Sequence, residues 1–230
     1  MSKTTRALKL YIKTAAHPFV IGFGLFMMIG MALAFILEPA AVGSKDYLSM
    51  LGAVQMGKIG TVFMVVVANA KIQQNKFFSS CICAKEVFVI GPVFVITVMN
   101  VLYDILLAVA AYINLGTAGL SDLLVFNTAS TVLLIIGGGC CGKKGVPFIS
   151  VIQGVAYMAF FSFPIILKAT SNLQGVLGLP LTAAIIIIIS GYILSIMITI
   201  GIESFWWKRG DKFFRTNPAM MNALGGQENE

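Results

Sequence analysis

The sequence predicts an all-α, polytopic membrane protein with six transmembrane helices, and three observations lead to that fold class. Hydrophobic residues make up 58% of the 230 residues, charged residues make up only 11%, and the mean hydropathy is +0.93. A soluble domain carries about 25% charged residues, so this composition excludes a soluble enzyme, a nucleic-acid-binding domain and a disordered chain. No apolar run alternates with a period of two, which excludes a membrane barrel and leaves helices to satisfy the backbone.

Six apolar runs are long enough to cross a bilayer, which takes about 20 residues of helix. Spans one and six contain no charged residue, whereas span two contains Lys58 and span three contains Asp104. No internal repeat or long linker divides the chain, so residues 1–230 are expected to form one domain. The predicted spans cover residues 19–37, 51–70, 87–113, 123–139, 146–167 and 179–202.

Basic residues predict the direction of these spans. Most of the 16 lysines and arginines lie in four segments, residues 1–18, 71–86, 140–145 and 203–230. Six spans place these segments on one side of the membrane, and positively charged loops stay in the cytoplasm. Both termini are therefore expected to be cytoplasmic. The net charge of +7 is assigned to this inner face rather than to a nucleic-acid partner.

An amphipathic interface helix is predicted over residues 4–17, before span one. Arg6, Lys9 and Lys13 fall on one face of it. Such a helix lies in the inner membrane interface and places its cations on anionic headgroups. A plain positively charged N-terminus is the alternative. The apolar face is expected to contain Leu8, Tyr11, Ile12, Ala15 and Ala16.

The loop between spans two and three, residues 71–86, is a second amphipathic segment. It is too polar to enter the bilayer, yet Phe77, Phe78 and Ile82 make it too apolar for a plain solvated loop. We predict a short helix that presents aromatic side chains to a cytoplasmic partner. Simple anchoring at the membrane interface is the alternative.

Two charged residues within the spans are predicted to pair. Lys58 lies roughly 10 Å and Asp104 roughly 13 Å from the outer ends of their spans, at about 1.5 Å per residue. An isolated charge at such a depth costs about 2.5–3.5 kcal/mol by insertion scales. The pair, with Asn100 and Tyr103 on nearby turns, would close the outer half of the bundle or fix the packing of spans two and three. In the alternative, Lys58 reaches the outer headgroups and Asp104 faces a watery cavity alone.

A partial P-loop near the end of span four does not predict an ATP site. Gly137, Gly142 and Lys143 match most of the motif, but Lys144 stands where magnesium binding needs Ser or Thr. A P-loop also opens a helix, whereas this stretch closes one. We expect no catalytic residue and no cofactor site in this chain.

Four cysteines lie in two cytoplasmic loops: Cys81 with Cys83, and Cys140 with Cys141. A reducing compartment disfavours structural disulfides at these positions. Their C-x-C and C-C spacings differ from the usual pairs of zinc ligands, so no metal site is expected.

The interface helix, the six spans and the loop between spans two and three together resemble the small membrane subunits of ABC type-2 exporters. The loop contains Asn75-Lys76-Phe77-Phe78-Ser79 and Ala84-Lys85-Glu86-Val87, which are similar to that family's loop motif. The proline usual in the middle of the motif is absent, and Cys81 to Cys83 stand in its place. The topological resemblance covers nearly the whole chain, whereas the motif covers only this loop.

This resemblance implies a permease subunit in the bacterial cytoplasmic membrane, paired with a second copy or a related permease chain. The loop would be a coupling helix in which Phe77, Phe78, Lys85 and Glu86 contact a separate cytosolic ATPase. That ATPase would bind the ATP and the magnesium. Residues 168–180 would form a short re-entrant element on the outer side. Small permeases of this kind often export amphipathic or antimicrobial peptides.

Two other classes fit part of the sequence. The substrate-binding membrane subunit of a vitamin importer has a similar size and six spans, but it needs no docking helix in this loop. Membrane cysteine endopeptidases that process signalling peptides use a His and a Cys, for which His17 and Cys81 are the candidates. Nucleophilic catalysis needs the base within hydrogen-bond reach, and these two residues lie far apart in the sequence.

Close helix packing is predicted to build a dimer, because small residues favour helix association in lipid. Packing within a single chain is the alternative. The candidate positions are Gly22, Gly24 and Gly30 in span one, and Gly52, Gly57 and Gly60 in span two.

Overall fold

The computed structural model describes residues 2–15, 18–44, 46–74, 77–78, 81–140 and 178–208, and all regular structure among them is helical. This confirms the all-α class for the described part of the chain. The predicted fifth span at 146–167 lies outside the described residues, as does most of the outer element at 168–180. In chain order the elements are α1 (Lys3–Ala15), α2 (Pro18–Leu37), α3 (Tyr47–Val54), a 3₁₀ turn (Gln55–Lys58), α4 (Ile59–Gln74), α5 (Ala84–Cys140) and α6 (Leu181–Lys208).

Four helical stretches are long and apolar enough to cross a membrane. Their outward faces carry large exposed apolar side chains such as Phe19, Phe26 and Ile186, which suit contact with lipid tails. The four stretches are Pro18–Leu37, Tyr47–Gln73, Ala84–Gly139 and Leu181–Lys208, which correspond to predicted spans one, two, three with four, and six.

Helix α5 folds back on itself at Gly116. As a straight helix its 57 residues would extend about 85 Å, far more than a bilayer is thick. Gly116 has φ 69° and ψ −163°, a conformation available almost only to glycine. The Thr131 hydroxyl lies 3.3 Å from Asp104 Oδ2, so the two arms, 84–115 and 117–140, lie side by side. The arms correspond to predicted spans three and four, joined by this turn in place of the expected loop.

The second span, whose apolar run is interrupted by Lys58 in the sequence, is interrupted in the structure by a turn that ends at the same residue. The 3₁₀ turn Gln55–Lys58 separates α3 from α4. Tyr103 braces this turn, because its hydroxyl donates to the Val54 carbonyl at 2.7 Å and lies where a Cβ on Gly57 would overlap it. A 3₁₀ stretch inside a longer helix often marks a hinge.

Helix α1 packs on the bundle through Tyr11, which lies on the predicted apolar face, and through Ala7, which was not predicted. Ala7 and Tyr11 are fully buried, whereas Ile12, predicted on the apolar face, is 48% exposed. Tyr11 sets this orientation because its hydroxyl donates to Asn69 Oδ1 at 2.9 Å. Its ring also lies against Gly91, where a Cβ would overlap it. The cations of α1, which are Arg6, Lys9 and Lys13, are all exposed.

The bundle has two distinct ends. Helix α1, residues 81–83 and the carboxyl end of α6 contribute to one cluster, and this defines the α1 end. The turn of α5 defines the Gly116 end. Between them lies an apolar layer, in which every side chain is at most 3% exposed. The apolar layer consists of Val65, Val93, Ile96 and Ile135.

Three glycines predicted to build a dimer pack within the chain instead. A Cβ on Gly60 would overlap the backbone of Gly24, and one on Gly57 would overlap a side chain of α5. At these positions the alternative of packing within one chain is the one observed. Gly22 and Gly30 differ, because a Cβ on either would meet no described atom within 4 Å.

Candidate functional site

The most polar part of the bundle interior surrounds Lys58. Lys58 is fully buried and Asp104 is 6% exposed. The structure brings these two predicted residues together, with Lys58 Nζ 2.7 Å from Asp104 Oδ1. Lys58 ends the 3₁₀ turn and Asp104 lies on the first arm of α5, so the ion pair joins the broken second span to that arm.

The second arm of α5 supplies the other partners of Lys58. Its Nζ donates to Ser130 Oγ at 3.0 Å, to Thr131 Oγ1 at 2.8 Å and to the carbonyl oxygen of Asn127 at 3.3 Å. The sequence analysis missed these residues. Their spacing places Asn127, Ser130 and Thr131 on one helical face, which is the signal that could have identified them.

One oxygen of Asp104, Oδ2, also accepts hydrogen bonds from neutral donors. Tyr192 of α6 donates its hydroxyl hydrogen to Asp104 Oδ2 at 2.7 Å, and Thr131 donates to the same oxygen at 3.3 Å. The ammonium therefore stays inside the bundle and does not reach the outer headgroups. We name the group of Lys58, Asp104, Ser130, Thr131 and Tyr192 the Lys58 cluster.

Asn100 and Tyr103, which were predicted to lie near the ion pair, form hydrogen bonds with the residues around it. The Asn100 amide donates to the Ile96 carbonyl at 2.8 Å and to Thr61 Oγ1 at 3.4 Å, while Tyr103 bonds the backbone before the 3₁₀ turn. These hydrogen bonds go to the residues around the ion pair and not to Lys58 or Asp104. On the other side, Ser130 Oγ donates to Gln55 Oε1 at 2.7 Å, which fixes the start of the 3₁₀ turn to the second arm.

Two amide atoms beside the Lys58 cluster have no hydrogen-bond partner among the described residues. They are Asn100 Oδ1, on the side toward the apolar layer, and Asn127 Nδ2, on the side toward the Gly116 end. Buried polar atoms in proteins nearly always bind a partner or an ordered water. The interior around the ion pair thus offers polar groups to water or to a passing solute.

The loop aromatics at the α1 end differ in exposure. Phe77 is 59% exposed, whereas Phe78 is 7% exposed and packs in the cluster with Tyr11, Cys83 and Phe88. We name this buried group the Phe78 cluster; its remaining members are Ala7, Ala68, Ile72 and Val87. The two rings meet edge to face, with centroids 5.7 Å apart.

The exposed side of this loop forms a small surface at the α1 end. Ile82 is 85% exposed, Lys85 is exposed and Glu86 is partly exposed. Together with Phe77 these residues present apolar and charged groups next to one another, a composition that suits contact with another protein. We name Phe77, Ile82, Lys85 and Glu86 the loop surface.

Tyr11 links α1 to three other helices. It contacts Asn69 of α4 and Gly91 of α5. Burial raises the pKa of Tyr11 well above its ordinary value, and the charge of Glu203 on α6 raises it further. The hydroxyl therefore stays protonated over the physiological pH range and remains a donor to Asn69.

Several residues considered for catalysis or ligand binding fall outside the described residues. They include His17, Cys141, Gly142 and Lys143, so neither the His–Cys pair nor the partial P-loop is placed. Cys81 is described, and its sulfur contacts Cys83 and the Phe78 carbonyl. In the described ranges, no three His, Cys, Asp or Glu side chains come close enough together to hold a metal ion.

Helices suited to crossing a membrane and a buried ion pair among them define a multi-pass membrane protein with a polar interior. Comparison with protein-family models, with curated proteins and with solved structures finds no significant match to this chain.

Proposed function

We propose that the chain is the membrane-spanning permease subunit of an ATP-driven exporter, with six spans and both termini in the cytoplasm. The observation that carries this proposal is the loop between α4 and α5. On the side of the loop that faces away from the bundle, Phe77 and Ile82 are exposed. Phe78 is instead buried in the Phe78 cluster, which includes residues of α1, α4 and α5. A segment built in this way can receive a contact on one side and pass it to several helices on the other.

The cytosolic ATPase would bind at the loop surface. Exposed aromatic and aliphatic side chains are effective anchors when a partner removes them from water. Lys85 and Glu86 at the rim would give orientation rather than affinity. ATP and magnesium would be bound by the ATPase and not by this chain.

Movement would pass from the loop to the membrane helices through the Phe78 cluster. Phe78 packs with Tyr11 of α1, and it also packs with Val87 and Phe88 at the start of α5. Close-packed interiors transmit displacement because they have few voids to absorb it. A shift of Phe78 would therefore move the first arm of α5, which carries Asp104.

The Lys58 cluster would close the outer half of the translocation pathway. Opening it requires the second span to separate from both arms of α5, since Lys58 contacts Asp104 on one arm and Thr131 on the other. The apolar layer would form a second barrier toward the cytoplasm, because closely packed apolar side chains exclude water. Two barriers of different chemistry would allow the two sides to open in turn.

Lipids and a second permease chain complete the proposed assembly. The exposed cations Arg6, Lys9 and Lys13 would rest on anionic headgroups. Gly22 and Gly30 leave open space on α2, where a second copy or a related chain could approach closely. The proposed substrates are amphipathic or antimicrobial peptides, a choice that rests on the family resemblance alone.

Crosslinking from the loop surface tests the proposal. Ile82→Cys, at an 85% exposed position, should crosslink to the ATPase that copurifies with the full-length chain. Ile186→Cys, on an exposed face of α6, is the matched control and should not. Crosslinking to a separate membrane scaffold would favour the vitamin importer class. Loss of peptide processing in Cys81→Ser, with no ATPase bound, would favour the endopeptidase class.

A further inference from the structure

Cys81 and Cys83 form a preorganised pair of thiols within the loop. Their sulfur atoms lie 3.7 Å apart. A turn holds them on the same side, because the Ala84 amide donates to the Cys81 carbonyl at 3.0 Å and the Val87 amide donates to the Cys83 carbonyl at 3.0 Å. Ile82, between them, points away into solvent. Two ligands fixed in this way need little further ordering to bind one centre.

Burial and hydrogen bonding slow the reaction of either thiol with reagents that modify a single cysteine. Cys83 is 4% exposed and lies in the Phe78 cluster, while the Cys81 thiol donates to the Phe78 carbonyl at 3.2 Å. Burial raises the pKa of Cys81, and its hydrogen bond with Cys83 adds to this effect. Because the thiolate is the nucleophile, Cys81 is a slow target for reagents that need one thiolate.

The spacing of the sulfurs suits a centre that binds two of them at a bent angle. Two bonds of about 2.3 Å to one centre place their sulfurs roughly 3.3 Å apart at a right angle, as in a pyramidal trivalent centre, and roughly 3.8 Å apart at the tetrahedral angle. The observed 3.7 Å therefore needs only a small closure of the pair for a pyramidal centre. No third His, Cys, Asp or Glu ligand accompanies the two thiols among the described residues. A fitting centre therefore brings its remaining ligand with it, as a trivalent organic arsenical does.

We propose that Cys81 and Cys83 form a two-thiol binding site for soft trivalent metalloids, of which an organic arsenic(III) compound is the representative. An arsenical R–As=O reacts with the two thiols to form two As–S bonds. The As=O bond breaks, and its oxygen leaves as water with the two thiol protons. Arsenic stays trivalent, so the step needs no oxidant or reductant.

Binding would lock the turn at residues 81–83 and remove the thiol proton that Cys81 donates to the Phe78 carbonyl. The loop surface lies on the same turn, so a bound metalloid would block docking of the ATPase. This consequence rests on the proposed function, whereas the binding site itself does not. The two ideas can therefore fail separately.

The test uses the full-length protein with Cys140→Ser and Cys141→Ser, which removes the other pair of neighbouring cysteines. Phenylarsine oxide is titrated and the product is followed by intact mass spectrometry. We expect a single adduct per chain that a small dithiol removes. Adding Cys81→Ser or Cys83→Ser should each weaken binding by about 10²- to 10⁴-fold, since the second sulfur binds intramolecularly.

Two results would overturn the site: no adduct, or an adduct of unchanged affinity in either serine variant. A second measurement is photocrosslinking to the ATPase from a benzoylphenylalanine placed at position 82, which adds no third thiol beside the pair. The arsenical is bound first and its excess is removed. Loss of the crosslink supports both ideas. An adduct that forms while the ATPase still crosslinks from position 82 supports the site and the docking surface, and contradicts the claim that a bound metalloid blocks docking.

Discussion

The Lys58 cluster and the Phe78 cluster hold the same helices together by different physical means. The first joins α5 to the second span and to α6 through an ion pair and directional hydrogen bonds. The second joins α5 to α1 and α4 through apolar packing. An ion pair with directional hydrogen bonds is strong only in one arrangement, whereas a close-packed apolar cluster passes a displacement on to its neighbours. The Lys58 cluster is therefore suited to closing a pathway, and the Phe78 cluster to passing movement between helices.

Breaking the ion pair should have the largest effect on the fold. Lys58→Met or Asp104→Leu leaves one buried charge without its partner, which costs about 3–5 kcal/mol of the free energy of unfolding. The double variant removes both charges and should lose much less. Unfolding in a denaturing detergent, followed by fluorescence of the tryptophans, measures all three against the exposed control Lys3→Met.

A charge swap sharpens the same comparison. Lys58→Asp with Asp104→Lys should recover only part of the loss, because the Tyr192 hydroxyl, which donates to the Asp104 carboxylate, would have to turn and accept from the new ammonium. Single variants with wild-type stability would contradict the account of the Lys58 cluster.

The next largest effect is the difference in the free energy of unfolding between Phe78→Ala and Phe77→Ala. Phe78→Ala empties a packed site and is expected to lower the free energy of unfolding by about 3–5 kcal/mol. Phe77→Ala alters an exposed position and should stay within about 0.5 kcal/mol of the wild type. The same unfolding measurement compares them. Equal losses would show that the loop is not divided into an anchoring side and an exposed side.

Tyr11→Phe should have a moderate effect. It keeps the ring against Gly91 but removes the buried hydrogen bond from Tyr11 to the Asn69 oxygen, which costs about 1 kcal/mol. Tyr112→Phe, at an exposed position on α5, is the matched control and should change little. If both variants have the same free energy of unfolding, the hydrogen bond from Tyr11 does not stabilise the packing of α1 on the bundle.

The smallest effect concerns the pH dependence of Cys81. Because its pKa is raised, the thiolate fraction at neutral pH is lower than for a free thiol. Alkylation of Cys81 by iodoacetamide should therefore be slow near pH 7 and should rise about tenfold per pH unit toward its pKa. Cys83→Ser removes one cause of the shift and should speed the reaction. A rate equal to that of a free thiol at pH 7 would contradict the buried pair.

Length and hydropathy predicted the apolar spans because bilayer thickness acts on every residue of a span. Similar depths also predicted that Lys58 and Asp104 would meet. The 3₁₀ turn was not predictable, since it depends on Tyr103 from another helix. Tyr192 was missed because it lies in a span without charged residues, and only tertiary packing brings it to Asp104. The buried face of α1 was predicted only in part, with Tyr11 buried and Ile12 exposed, because helical periodicity cannot distinguish lipid from protein as the apolar neighbour.

The central claim is that the loop surface binds an ATPase, and the affinity of Phe77→Ala tests it most directly. Binding of the copurifying ATPase to full-length protein in nanodiscs is measured for Phe77→Ala and for Phe26→Ala, which removes an exposed ring on α2. A central anchor contributes about 2 kcal/mol or more, so Phe77→Ala should weaken binding roughly 30-fold or more. Phe26→Ala should bind as the wild type does. Equal affinity of Phe77→Ala and the wild type would contradict the account.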